Sequence, residues 1–104
     1  MSGAPFDPPR EDPEAPEVLE GRLDRVGVES YFRDLDELAE IDQVLVRWVD
    51  TMRESAATTL EESRDAVRSG TAHAVQIRYR YGEETWCDTL LADDKGHRIL
   101  RVRS

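Results

Sequence analysis

The stretch AVQIRYRYGEETWCDTLLADDKGHRILRVR, residues 74–103, decides the fold. Val75, Ile77, Tyr79 and Tyr81 alternate with Ala74, Gln76, Arg78 and Arg80, a two-residue repeat rich in β-branched and aromatic side chains. Such side chains suit a pleated, half-buried surface, so the pattern predicts a strand over 73–81. Gly82-Glu83 offers a two-residue hairpin turn with glycine at its first central position. A second strand is expected over 84–92, and Asp93-Asp94-Lys95-Gly96 supplies the next turn. A third strand covers 97–103. Two short connections predict a three-stranded antiparallel meander with the second strand in the middle.

The turns fix the registers. If residues 81 and 84 pair, so do 79–86, 77–88 and 75–90; if Ala92 pairs with His97, then 90–99, 88–101 and 87–102 follow. Directly paired residues share a face. One face then gathers His73, Val75, Ile77, Tyr79, Tyr81, Trp86, Asp88, Leu90, Ala92, His97, Ile99, Arg101 and Arg103. It is the more apolar and aromatic face and is expected to meet the helices. The other face carries Gln76, Arg78, Cys87, Thr89, Leu91, Leu100 and Val102. A one-residue slip in either turn would exchange the faces of a strand.

Upstream, the helical period dominates. EVLEGRLDRV, residues 17–26, places Val18, Leu19, Leu23 and Val26 near helical spacing, and a short helix is expected there. From Glu29 to Ser69 there is neither glycine nor proline. Tyr31, Leu35, Leu38, Leu45, Val49, Met52 and Ala56 recur at steps of three and four, which predicts a helix over 30–57, or two with a break near Asp42. Val44, Val46 and Trp48 also alternate, so a strand over 43–49 stays open. Thr59-Leu-Glu-Glu62 has the spacing of a capping box and Gly70 suits a helix end, which predicts a helix over 59–69. All five prolines lie in residues 1–16, among acids and with Phe6 as the one large apolar group; this stretch reads as a disordered acidic tail. The expected fold is α+β, N-terminal helices packed on a three-stranded antiparallel meander, forming a single domain over 17–104. The order of elements is similar to the cone-shaped nuclear-transport-factor-like and cystatin-like arrangements, a likeness that carries no residues across.

Charge narrows the function classes. The chain has 104 residues, 23 acidic and 14 basic, for a formal net charge of -9. The acids concentrate in residues 1–70, whereas residues 71–104 hold five acids against five arginines and Lys95. A phosphate backbone is repelled by such an excess, so no nucleic-acid partner is expected; a basic protein surface is easier to reconcile. The longest apolar runs, Val44-Leu45-Val46 and Leu90-Leu91-Ala92, are far short of the roughly 20 residues of a membrane helix. No secretory leader is legible, and the single Cys87 suits a reducing compartment, so a cytoplasmic, membrane-free protein is expected.

Chemistry-bearing patterns are sparse. No CxxC, HExxH, calcium loop or phosphate-cradling glycine series occurs, so neither a metal nor another cofactor is expected. Cys87 and the two histidines are expected at positions roughly 16 Å apart along the sheet, too far for a thiol–imidazole pair. The acids Asp34, Asp36, Glu37, Glu40 and Asp42 read as a solvated helix face. No catalytic residue is assigned, and the reading leans away from an enzyme. Two candidate sites remain. Tyr79, Trp86, Asp88 and Arg101 would share the helix-facing side, either as a structural ion pair or as the lining of a small anion pocket between helices and sheet. Cys87, Leu91, Leu100 and Val102 would present apolar surface on the other side, a feature that most often marks association. The expected protein is therefore a small acidic interaction or accessory protein, self-associating through its sheet as a homodimer; the alternative is a small anion-binding protein or minor enzyme with a pocket between helices and sheet.

Overall fold

Six strands and two helices follow one another as β1 (Val18–Leu23), α1 (Arg25–Leu38), β2 (Glu40–Trp48), β3 (Ala56–Ala57), α2 (Leu60–Ser69), β4 (Ala72–Tyr81), β5 (Glu84–Asp93) and β6 (Gly96–Arg103). The structure is a computed structural model that describes residues 18–50, 52 and 56–103. All strands join one antiparallel sheet in the order β1-β6-β5-β4-β2-β3. Five long strands carry it, and β3 adds two residues beside Leu45 and Val46. The α1 crossover takes the chain from one edge of the sheet towards the other.

The C-terminal strands form as their turns dictate. Tyr81 pairs with Glu84, Tyr79 with Trp86, Ile77 with Asp88 and Val75 with Leu90. Ala92 pairs with His97, Asp88 with Arg101 and Cys87 with Val102. Gly82 and Gly96 adopt φ of 65° and 129°, which side chains with a Cβ rarely accept. One detail departs from strict alternation. The β2–β4 register shifts between Arg47 and Trp48, so Ala72 is buried and His73 exposed rather than on the helix-facing side.

The upstream reading needs correction: the sheet is not a three-stranded meander under N-terminal helices. The helix expected over 17–26 is largely strand β1, because its apolar residues satisfy either period. Pairing with β6 supplies the hydrogen bonds that decide between them. Asp24, within the expected helix, instead caps α1 by accepting from Gly27 N at 2.7 Å. The helix expected over 30–57 ends at Leu38, where Ala39 turns extended at φ -120° and ψ 156°. Residues 40–48 are strand β2, the option left open over 43–49. Asp42, which interrupts the helical series, lies where the β2–β4 register shifts. Only the helix over 59–69 stands, as α2. Thr59 accepts from Glu62 N at 3.1 Å, while the Glu62 carboxylate takes the Thr58 hydroxyl rather than the cap N–H. Gly70 closes it in the left-handed region at φ 78°. The tail reading over 1–16 lies outside the described residues.

Both helices bury their apolar sides on one face of the sheet. Val28, Tyr31, Phe32 and Leu35 of α1, with Ala66 and Val67 of α2, join Val44, Val46, Val75, Ile77, Tyr79, Trp86 and Leu90 in one core. The inner cross-strand row Val44–Ile77–Asp88–Arg101–Leu19 runs across five strands of that face. Among the described residues no helix is long and apolar enough to cross a membrane.

Candidate functional site

Asp88 lies mid-row on the inner face, with 0% of its surface exposed. A buried carboxylate must be matched group for group. Arg101, directly opposite on β6 and 6% exposed, supplies a two-pronged bond: Nε donates to Oδ1 and Nη2 to Oδ2, both at 2.9 Å. Two phenols complete the shell. The Tyr31 hydroxyl donates to Oδ2 at 2.8 Å from α1, and that of Tyr79 at 3.0 Å from β4. The guanidinium carbon of Arg101 also sits 5.9 Å from the centre of the Tyr79 ring. Four donors from three neighbouring elements thus converge on one acceptor.

Protonation follows from this geometry. Burial, reinforced by the adjacent Asp88 charge, pushes the Tyr31 hydroxyl well above the usual phenol range and raises that of Tyr79 as well. Both phenols remain donors. Burial works against the Arg101 charge, but the hydrogen bonds and charge of Asp88 outweigh it, so the guanidinium is held more firmly than usual. The cluster matches the Asp88 carboxylate with four donors and ties α1, β4, β5 and β6 together. Trp86, 3% exposed, packs in the same core. The four residues singled out from sequence are therefore brought together. Tyr31 was missed because only tertiary packing sets a residue 57 positions upstream beside Asp88.

The other face has a different character. Its cross-strand rows are Gln43–Arg78–Cys87–Val102–Val18, Leu45–Gln76–Thr89–Leu100–Glu20 and Arg47–Ala74–Leu91–Arg98–Arg22. Cys87, Leu91, Leu100 and Val102 all lie here, and β1 and β2 add Val18 and Leu45. Those two were missed because their strands were read as helix. Val18 remains 50% exposed and Val102 39%. Charged groups rim the apolar centre: Arg98 binds Glu20, and Arg22 grips Asp93 at 2.6 Å and 2.8 Å. Burial pushes the Cys87 thiol up, partly opposed by Arg78, so the thiol is not activated as a nucleophile.

A third feature is a groove of about 490 Å3 between the helices, lined by Phe32, Leu60, Arg33, Arg64, Glu29, Asp36 and Glu61. The buried Arg64 Nε has no hydrogen-bond partner among the described residues. Three carboxylates against two guanidiniums give the groove no clear preference for an anion. Among the described residues no group of three or more histidine, cysteine or acidic side chains could hold a metal ion. No protein-family model, curated protein or solved structure matches the chain.

Proposed function

We propose that this chain is a non-catalytic interaction or accessory protein that self-associates through the outer face of its sheet, with Cys87, Leu91, Leu100 and Val102 at the centre of the contact. One observation carries this reading: no described element covers that face, although Cys87, Leu91, Leu100 and Val102 put apolar groups among its polar ones. Open apolar surface of this kind loses its unfavourable hydration when a second surface closes on it. Two sheets can stack about 10 Å apart with their side chains interleaved. A pocket for an anion between helices and sheet has less support. The groups that would bind the anion already satisfy one another, and both charged members are buried. A basic protein partner would suit the helical side, where α1 alone carries Glu29, Asp34, Asp36 and Glu37 against Arg25 and Arg33.

The test is analytical ultracentrifugation of the full chain over a wide concentration range, beside the variant Leu100→Glu/Val102→Glu. The expected result is a reversible self-association that the double variant reduces at equal concentration, while keeping its circular dichroism and, in dilute protein, its melting temperature. A wild-type chain that stays monomeric at the highest attainable concentration would sink the proposal.

A further inference from the structure

The two edges of the sheet are finished differently. At one end, β3 is two residues long, and the Thr58 N–H bonds the Val44 carbonyl as the chain leaves towards α2. The other end is β1, six residues paired to β6 without a register shift. Its outward edge has no strand partner among the described residues. Edge strands usually avoid further pairing through proline, a bulge or an inward-pointing charge. Val18–Leu23 has none of these: Leu19, Gly21 and Leu23 take the inner face, and its two charges, Glu20 and Arg22, are of opposite sign and lie on the outer face, bound to Arg98 and Asp93. Val18, Leu19 and Val26, on or beside this strand, are 50%, 40% and 72% exposed.

The order of residues in this strand is complementary to its own reverse. We infer that β1 is a docking edge for β1 of a second copy, antiparallel, with Gly21 facing Gly21 on the two-fold axis. In that register Glu20 opposes Arg22 of the other copy twice, on the outer face. Leu19 opposes Leu23 twice, on the inner face. Opposite charges and apolar pairs directly across strands both favour pairing. The two outward backbone edges satisfy each other, and the two sheets become one. A shift of this register by two residues brings Glu20 opposite Glu20 or Arg22 opposite Arg22, so the charges select it. This contact uses a different surface from the outer-face association and does not rest on it.

The test uses the full chain with Cys87→Ser and a single new cysteine. Gly21→Cys fits the protomer, because a Cβ there meets only Ile99 Cγ2, at an ordinary 3.6 Å. A short bismaleimide is expected to convert it to covalent dimer. Val18→Cys should not crosslink, since its two copies would lie about 20 Å apart along the strands at 3.4 Å per residue. Adding Glu20→Arg should suppress the Gly21→Cys crosslink, and adding Arg22→Glu as well should restore it. The double swap leaves both intrachain partners, Arg98 and Asp93, mismatched, so restoration reports the contact between copies alone. The outer-face variant Leu100→Glu/Val102→Glu should keep the crosslink. Equal crosslinking at Val18→Cys, indifference to the charge changes, or a dimer seen only after residues 1–16 are removed would each overturn the inference.

Discussion

Each face of this sheet carries a minority of side chains of the opposite character to the rest of it. The inner face, under the helices, places an aspartate and an arginine at its centre, whereas the outer face sets Leu91, Leu100 and Val102 towards water. What makes the inner arrangement tolerable is saturation: Asp88 receives four hydrogen bonds from Arg101, Tyr31 and Tyr79. Among the described residues the outer side chains have no such closure, which is what the proposed association would supply. A charge is stable inside when every valence is met, and an apolar group outside marks surface that is still available.

The largest effect is expected from breaking the inner cluster. Asp88→Ala removes the two-pronged carboxylate partner of the buried Arg101 and should cost about 3–5 kcal/mol in urea unfolding. Replacing both partners, Asp88→Leu with Arg101→Met, removes both buried charges and should recover most of that loss. If the double variant were as unstable as the single one, the cluster would do more than match charges. Apolar truncation gives the next contrast. Ile77→Ala, at a site with 0% exposure, should cost about 2–5 kcal/mol. Leu100→Ala on the half-buried outer face should cost about 1 kcal/mol or less in dilute protein. With self-association, the outer cost alone grows as protein concentration rises, because binding stabilises the folded state by mass action. Equal costs at all concentrations would argue that the outer face meets water alone.

The smallest effect concerns the margin of the inner face. Burial lowers the pKa of His97, with Asp93 opposing the shift only in part. A histidine that resists protonation when folded contributes stability above its unfolded pKa of about 6.5, and that contribution is lost as pH falls through this value towards the lowered one. Melting temperature should therefore decline modestly between about pH 7 and pH 5, and His97→Gln should flatten that part of the profile. An unchanged slope would show that His97 is not its source; Asp93, whose pKa is held down first by its bond to Arg22 and then by the Lys95 N–H, loses its contribution only below about pH 4.

Much of the inner cluster was legible because it depends on two short turns. Once Gly82-Glu83 and Asp93–Gly96 set the hairpins, Asp88 had to lie between Ile77 and Arg101. Tyr31 was not legible, since nothing local ties a residue on α1 to the middle of β5. The edge was illegible for a related reason. Glu20 and Arg98 are 78 residues apart, and a segment such as VLEGRL carries too few apolar positions to separate a helical from an extended period. Val44 and Val46 did show the strand alternation, but Leu35, Leu38 and Leu45 continued a helical series across it.

Sequence alone determined what local geometry can decide: the two hairpin turns, the registers of β4 to β6 and their faces from Ala74 onward, and the Thr59 and Gly70 ends of α2. Tertiary structure alone decided that Val18–Leu23 and Glu40–Trp48 are strands and that Tyr31 closes the shell around Asp88. The physical reason is the reach of the bonds involved. A turn or a cap is completed within a few residues of itself, whereas an outer strand exists only once a distant strand offers its unpaired backbone groups.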